Sequence, residues 1–260
     1  MNFESELIED FFLLSSGGAF SPTDIAGLSI WLDASDTATI TLDGSNNVSQ
    51  WNDKSGNGKH ATQATTLNRP SGTATINGLG AIGFDGTNDC LQVASLALPS
   101  SITIFLVYTQ TNSTTKLFFM EHSADAAAND GFFVYGSAPS MAIRRTGSTN
   151  SNTPSPQSAT QGTAARQATF MFDRTLAADG KIARFWRDGT ESTMTPSGSN
   201  SGVTVASSTA TTTLNIGSRN GGASLPFQGS LGDLLIYNSA LSSTNRQAVE
   251  AYLKAKWGTP

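Results

Sequence analysis

The sequence is short of charge and almost empty of cysteine. Lys, Arg, Asp and Glu make up only 13% of its 260 residues, and Cys90 is the single cysteine. One cysteine excludes an internal disulfide and any zinc site built on paired thiolates. It also fits synthesis in a reducing cytoplasm. Set between Asp89 and Leu91, Cys90 reads as a small buried filler. The formal charge of −5, with Arg144-Arg145 the one adjacent basic pair, excludes a nucleic-acid partner, because nothing would neutralise a row of phosphates. No apolar run approaches the ~20 residues needed to span a bilayer. The first residues carry neither a basic n-region nor a clean apolar h-region, so no signal peptide and no membrane partner are expected. His60 and His122 stand alone, without the His-x-x-x-His spacing of a transition-metal site.

What the chain has instead is 25 glycines and long Ser/Thr/Asn tracts between short apolar runs. That is the pattern of a β protein with many turns. Strands are expected at Leu28–Asp33, Val48–Trp51, Ser101–Tyr108, Ala168–Phe172, Ile182–Arg187 and Leu214–Gly217, with shorter ones between. Asp85-Gly86 predicts a hairpin joining Ala81–Phe84 to Cys90–Val93, and Asp188-Gly189 predicts a second turn. Residues 146–163 lack periodicity and read as a long surface loop. Trp31, Trp51, Trp186 and Trp257 all fall in patterns that predict burial. Regularly spaced strands without intervening helices predict one two-sheet sandwich.

The two ends differ from the middle. Residues 1–21 hold Glu4, Glu6, Glu9 and Asp10 but no Lys or Arg, and Phe3, Leu7, Phe11 and Leu14 would line one face of a short helix. A helix of that length needs a surface to rest on. That surface is either its own domain, as a flap, or a neighbouring subunit, as an anchor. At the other end, Leu231–Tyr237 reads as a strand in which Asp233 is a turn or edge residue. Ser242 is placed to cap a helix in which Val249, Tyr252, Leu253 and Trp257 form one apolar face.

Four signatures carry a family resemblance: Leu28–Asp36, Trp51–Gly58, Phe84–Leu91 and the closing strand and helix. In this order they resemble laminin-G-like domains of the concanavalin A-like lectin/glucanase superfamily, of the kind found in tailed-bacteriophage virion proteins. The resemblance implies an all-β, two-sheet antiparallel jelly-roll sandwich with a C-terminal helix. It divides the chain into an anchoring segment, 1–21, and a jelly-roll domain, 22–260. It further implies a non-enzymatic structural protein, a capsid decoration, fibre or tail component. Such a protein is made in the host cytoplasm, joins other virion proteins through its first residues, and forms a closed homo-oligomer. The alternative is a carbohydrate-binding module for a host-surface polysaccharide, although no aromatic stands out as a stacking platform.

Glucanases of this fold use two carboxylates in a Glu-x-Asp-x-x-Glu pattern roughly 5 Å apart. The six glutamates here, Glu4, Glu6, Glu9, Glu121, Glu191 and Glu250, do not form it. No catalytic residue is therefore assigned, and no strand offers two acids facing the same way. Laminin-G-like relatives often bind calcium between loops, and Asp33, Asp36, Asn52, Asp85 and Asp89 supply oxygen, with Asp53 and Asn57 the first candidates. Asp and Asn before Gly also form turns that need no metal.

Overall fold

The computed structural model describes residues 19–97, 99, 101–111, 118–122, 131–135, 140–145, 148–154, 163–173, 183–192, 194–197 and 211–260. Phe3, Leu7, Phe11 and Leu14 lie outside the described residues. Within them, two antiparallel sheets stack face to face, as the alternating strands require.

The first sheet has eight strands among the described residues. Its centre is Ser101–Gln110 and the closing strand Gln228–Tyr237, flanked on one side by Arg166–Asp173, Ala183–Arg187 and Thr190–Ser192. On the other side two strands share the closing strand's edge. Leu79–Asp85, backed by Ser71–Ile76, pairs with its first half, and Leu28–Asp33 pairs with its second. The second sheet has ten strands, running from Met194–Ser197 through Ser148–Pro154, Ser140–Arg145, Gly131–Tyr135, Phe118–His122, Thr211–Ile216, Leu91–Ala97, Ala61–Thr62 and Val48–Trp51 to Ile40–Leu42.

Burial explains why the closing strand reads as a continuous apolar run. Leu231, Leu234 and Ile236 enter the core between the sheets, while Leu235 and Tyr237 join a second core on the sheet's far side. That second core is made by the helix Ser243–Trp257, which sets Val249, Leu253 and Trp257 on the sheet. Ser242 caps the helix by accepting from Asn245 N, and Gly258, in the left-handed region at φ 62°, ends it. The Asn77-Gly78 turn then reaches over, and Asn77 Nδ2 donates to Trp257 O at 2.7 Å. All four tryptophans are buried, and so is Cys90.

Three expectations are corrected. The strands flanking Asp85-Gly86 do not pair with each other: Leu79–Asp85 belongs to the first sheet and Leu91–Ala97 to the second, so the turn carries the chain across the sandwich. The expected loop 146–163 contains the strand Ser148–Pro154. Asp233 is neither turn nor edge but fully buried in the middle of the closing strand.

The folded unit also begins earlier than residue 22. The Phe20 ring sits 6.0 Å from that of Tyr252, and Ser21 caps the turn Pro22–Asp24. Pro22 O accepts from Tyr237 Oη at 2.9 Å.

Candidate functional site

The helix covers the outer face of the first sheet, but no described α-helix lies on the outer face of the second. Strand register places one residue from each strand in a row across it. Thr41, Gln50, Thr62, Gln92, Asn215 and Glu121 stand opposite one another in turn, and the row continues to Phe133, Ala142, Ser151 and Ser197. One residue along, Trp51, Ala61, Val93, Leu214 and Phe132 belong to the core. The period of two therefore backs an apolar inner row with an outer one that from Thr41 to Asn215 is all amides and hydroxyls. Gln92 Nε2 donates to Asn215 Oδ1 at 2.8 Å, so neighbouring amides hold each other in place.

A loop folds over the centre of this row. Glu121, fully buried, accepts from Arg219 Nε and from Asn220 N, each at 3.0 Å. Gly217, Asn220, Gly221, Gly222 and Leu225 all have positive φ. Leu225, at φ 50°, is a branched side chain where glycine is favoured, so backbone strain is concentrated here. Glycine is required on contact grounds as well. A Cβ at Gly222 would lie 2.5 Å from Asn88 O, and one at Gly217 would lie 2.2 Å from the Phe84 ring. Phe227 closes the loop by entering the core against Phe119 and Phe84.

At the loop's flank, Asp89 Oδ2 accepts from Asp85 N at 2.8 Å. Burial, with the negative charge of Asp85 beside it, pushes the Asp89 carboxyl from 3.8 up to about 6. The fold thus holds this proton more tightly than the unfolded chain does. Stability attributable to Asp89 falls as pH rises from 3.8 to about 6 and is constant above that. Asp89→Asn should be more stable than the parent at pH 7.5, by about 1 kcal/mol once solvent screening is allowed for, with the advantage gone below the unfolded value. Urea titrations at both pH values check this.

Paired acids do occur, contrary to the reading of the strands one by one. Asp33 and Asp233 are cross-strand neighbours on the first sheet, both buried. Lys256 from the helix lies 2.6 Å from an oxygen of each, and Lys54 lies 2.9 Å from Asp33. Trp31 and Trp257 donate their indole N–H groups to Asp233 at 2.9 and 2.5 Å. Burial drives the Asp233 carboxyl above its ordinary range against the pull of Lys256. For Asp33 burial acts the same way, but Lys256, Ser35 and Lys54 together outweigh it and hold the carboxyl below its ordinary value. Lys256 bridges the two buried carboxylates in a clasp between helix and sheet, and Lys54 joins Asp33 to Asp36 at its edge.

The other described carboxylates are also committed. Glu250 is paired with Arg246 and accepts from Thr169, Glu191 takes Arg184 through both oxygens, and Asp43 and Asp188 take Arg69 and Arg166. Asp53 and Asn57 share one turn, as expected of a loop pair. Asp53 Oδ1 accepts from Trp31 N and Ser55 N, and its Oδ2 accepts from Ser55 Oγ and Lys59 N. Asn57 donates its amide to Leu28 O and Ser29 O. Those bonds fix the turn to the first strand. Among the described residues no group of three or more His, Cys, Asp or Glu side chains is arranged to hold a metal ion.

The comparisons agree with this architecture. A laminin-G-type profile described as Concanavalin A-like lectin/glucanases superfamily matches residues 85–245. No curated protein sequence matches the chain. Among solved structures, Trypanosoma rangeli sialidase with 2,3-difluorosialic acid is similar at TM-score 0.55 and 16% identity, covering 95% of this chain and 37% of that one. The binding domain of botulinum neurotoxin serotype D/C is similar at TM-score 0.58 and 12% identity, covering 92% and 56%. A GH54 α-L-arabinofuranosidase mutant soaked with 4-nitrophenyl α-L-arabinofuranoside is similar at TM-score 0.57 and 16% identity, covering 92% and 61%. The chain spans only part of each of these longer proteins, and at such identities the likeness concerns the fold alone.

Proposed function

The chain belongs to the concanavalin A-like lectin/glucanases superfamily, and on that premise we propose that it is a non-enzymatic structural component of a tailed-bacteriophage particle. It displays the sandwich as a capsid or tail decoration, with its first residues joined to other virion proteins. A closed homo-oligomer of the chain completes this reading. The observation that carries the non-enzymatic part is the commitment of the carboxylates. Each described Asp and Glu accepts a hydrogen bond or ion pair that holds a turn, a strand or the helix. A retaining glycosidase needs one such group free to attack and one free to donate a proton. The attachment part is supported by the acidic, apolar composition of residues 1–18, which contrasts with the hydroxyl-rich remainder.

The second reading is a carbohydrate-binding module, and one specific observation favours it. The end of the row from Thr41 to Gln92, clear of the loop, presents hydroxyls and amides at fixed spacing across a sheet face, groups suited to sugar hydroxyls. One experiment tests both readings: full-length protein is challenged with a polysaccharide panel, reading retention and reducing-end release together. No release above blank is expected. Release that Glu121→Gln abolishes in a folded protein would contradict the proposal. Retention lost in Gln92→Ala would establish the second reading, and a blank panel would leave the display role alone.

A further inference from the structure

The clasp of Lys256, Asp33 and Asp233 is arranged for a reaction as well as for ion pairing. Lys256 Nζ lies 2.6 Å from Asp233 Oδ2 and 2.6 Å from Asp33 Oδ1. Oδ2 is bonded to Cγ, so the amine stands one covalent bond away from the carboxyl carbon of Asp233. Asp233 is fully buried, Asp33 is nearly so, and the lysine side chain is only 16% exposed. The rings of Trp257 and Tyr252, with centroids 5.2 and 5.8 Å from Nζ, flank the amine. An amine and a carboxyl held in contact and away from water meet two conditions for amide formation, proximity and removal of competing solvent.

The two carboxyls are not equivalent. Burial, opposed by Lys256, holds the Asp233 carboxyl above its ordinary range and so favours the protonated, electrophilic form. For Asp33 burial is outweighed by Lys256, Ser35 and Lys54, which keep it an ionised proton acceptor. Adjacent acids driven apart in this way divide into an acid and a base. Their other contacts match these roles. Asp233 Oδ1 accepts from Trp31 Nε1 at 2.9 Å, a donor placed for the negative charge that an attacked carbonyl oxygen develops. Trp257 Nε1 donates to Oδ2, the oxygen on the lysine side, at 2.5 Å. Ser35 donates from N at 3.1 Å and from Oγ at 2.7 Å to Asp33 Oδ1, holding the base against the amine.

We propose that Lys256 and Asp233 join in an intramolecular amide bond, with Asp33 as the base, covalently fixing the closing helix to the strand beneath it. Asp33 takes a proton from the ammonium, and the freed amine attacks Asp233 Cγ. The Nζ–Cγ bond forms, a second proton passes from nitrogen to the protonated Oδ2, and the Cγ–Oδ2 bond breaks to release one water. The proton on Asp33 then passes to solvent, leaving Asp33 ionised beside Lys54. The step starts from the ion-paired chain and needs no ligand or co-reactant.

Intact-mass spectrometry of the full-length protein, fresh and after prolonged incubation in neutral buffer, tests this. A species lighter than the sequence mass by one water should accumulate. Its digest should contain a branched peptide joining Lys256 to Asp233. The digest is needed because Asp-Gly pairs such as Asp85-Gly86 can also lose water, as cyclic imides. Lys256→Arg keeps a cation between the two acids but has no free amine, so no branched peptide should form. Asp33→Asn removes the base and should slow accumulation about a hundredfold or more. Full sequence mass after incubation would overturn the proposal, as would a water loss that maps elsewhere. So would an Asp33→Asn chain that links as fast as the parent.

Discussion

Replacing Lys256 with methionine should destabilise the fold by about 3–5 kcal/mol, the usual result of leaving buried charges without their partner. Lys256 lies 2.6 Å from both Asp33 and Asp233, and Asp233 is fully buried. Lys54 reaches Asp33 and Asp36 but makes no bond to Asp233. The variant would therefore hold two adjacent carboxylates with one lysine, itself shared with Asp36, and the two indole donors to Asp233 cannot supply the missing charge. The pH dependence contributed by Asp33 should reverse as well, joining that of Asp233, whose carboxyl already lies above its ordinary range in the parent. In the parent, Asp33 is held below its ordinary value, so its contribution is present at neutral pH and is lost as pH falls through the folded value. In Lys256→Met the acid pair titrates upward, so the variant should recover stability as pH falls and one carboxyl gains a proton. Urea unfolding of both proteins from pH 7.5 down to pH 4 measures this. An unchanged unfolding midpoint at neutral pH would show that the clasp does not hold the helix.

Gly229→Ala should cost about 3 kcal/mol or more, a loss typical of backbone positions that cannot accept a side chain. Gly229 has φ 152°, and an added Cβ would lie 2.1 Å from Thr109 O and 3.0 Å from Gln110 Cα. Those atoms are backbone of the neighbouring central strand, where Gly229 is opposite Gln110. Relief would require separating the two strands at the middle of the first sheet. Gly78→Ala is a useful control, because its Cβ would meet nothing within 4 Å although its φ is also positive. Calorimetric melts should show a large loss for the first and a small one for the second.

The parts of the fold that sequence could supply are those set by neighbours in the chain. Helix capping by Ser242, the apolar spacing of Val249, Leu253 and Trp257, and the strand at Leu28–Asp33 all follow from residues within a turn or two of each other. The Asp-Gly signal at residues 85 and 86 specified a reversal correctly, but turn chemistry does not say whether the strands on either side pair or pass to different sheets. Asn77-Gly78 carries an equally strong hairpin signal that was not among the expectations, and here the flanking strands do pair, with Ile76 opposite Leu79. The strand at Ser148–Pro154 lacks alternation because its residues are nearly all polar, so no period marked it.

The candidate site was much less legible, because its residues meet only through register between distant strands. Gln92 and Asn215 are 123 positions apart, and Trp31 and Asp233 are 202 apart. Asp233 looked like an edge residue because a lone acid in an apolar run is usually solvated. Its partners lie on the first strand and the last helix, which local reasoning cannot bring together. The loop over Glu121 gave one signal, the Asn220-Gly221-Gly222 run, which marks left-handed backbone but not what the loop covers.

The attachment of an inert sandwich through its first residues is tested most directly by comparing the full-length chain with one that starts at Ala19. That start preserves the contacts of Phe20 and Ser21 with the domain. Both are supplied in trans, tagged, to cells producing particles that lack the native copy. The purified particles are then probed for the tag, and both proteins are melted separately. The account predicts equal melting temperatures, with tag present for the full-length chain and absent for the shortened one. Equal incorporation of both would contradict it.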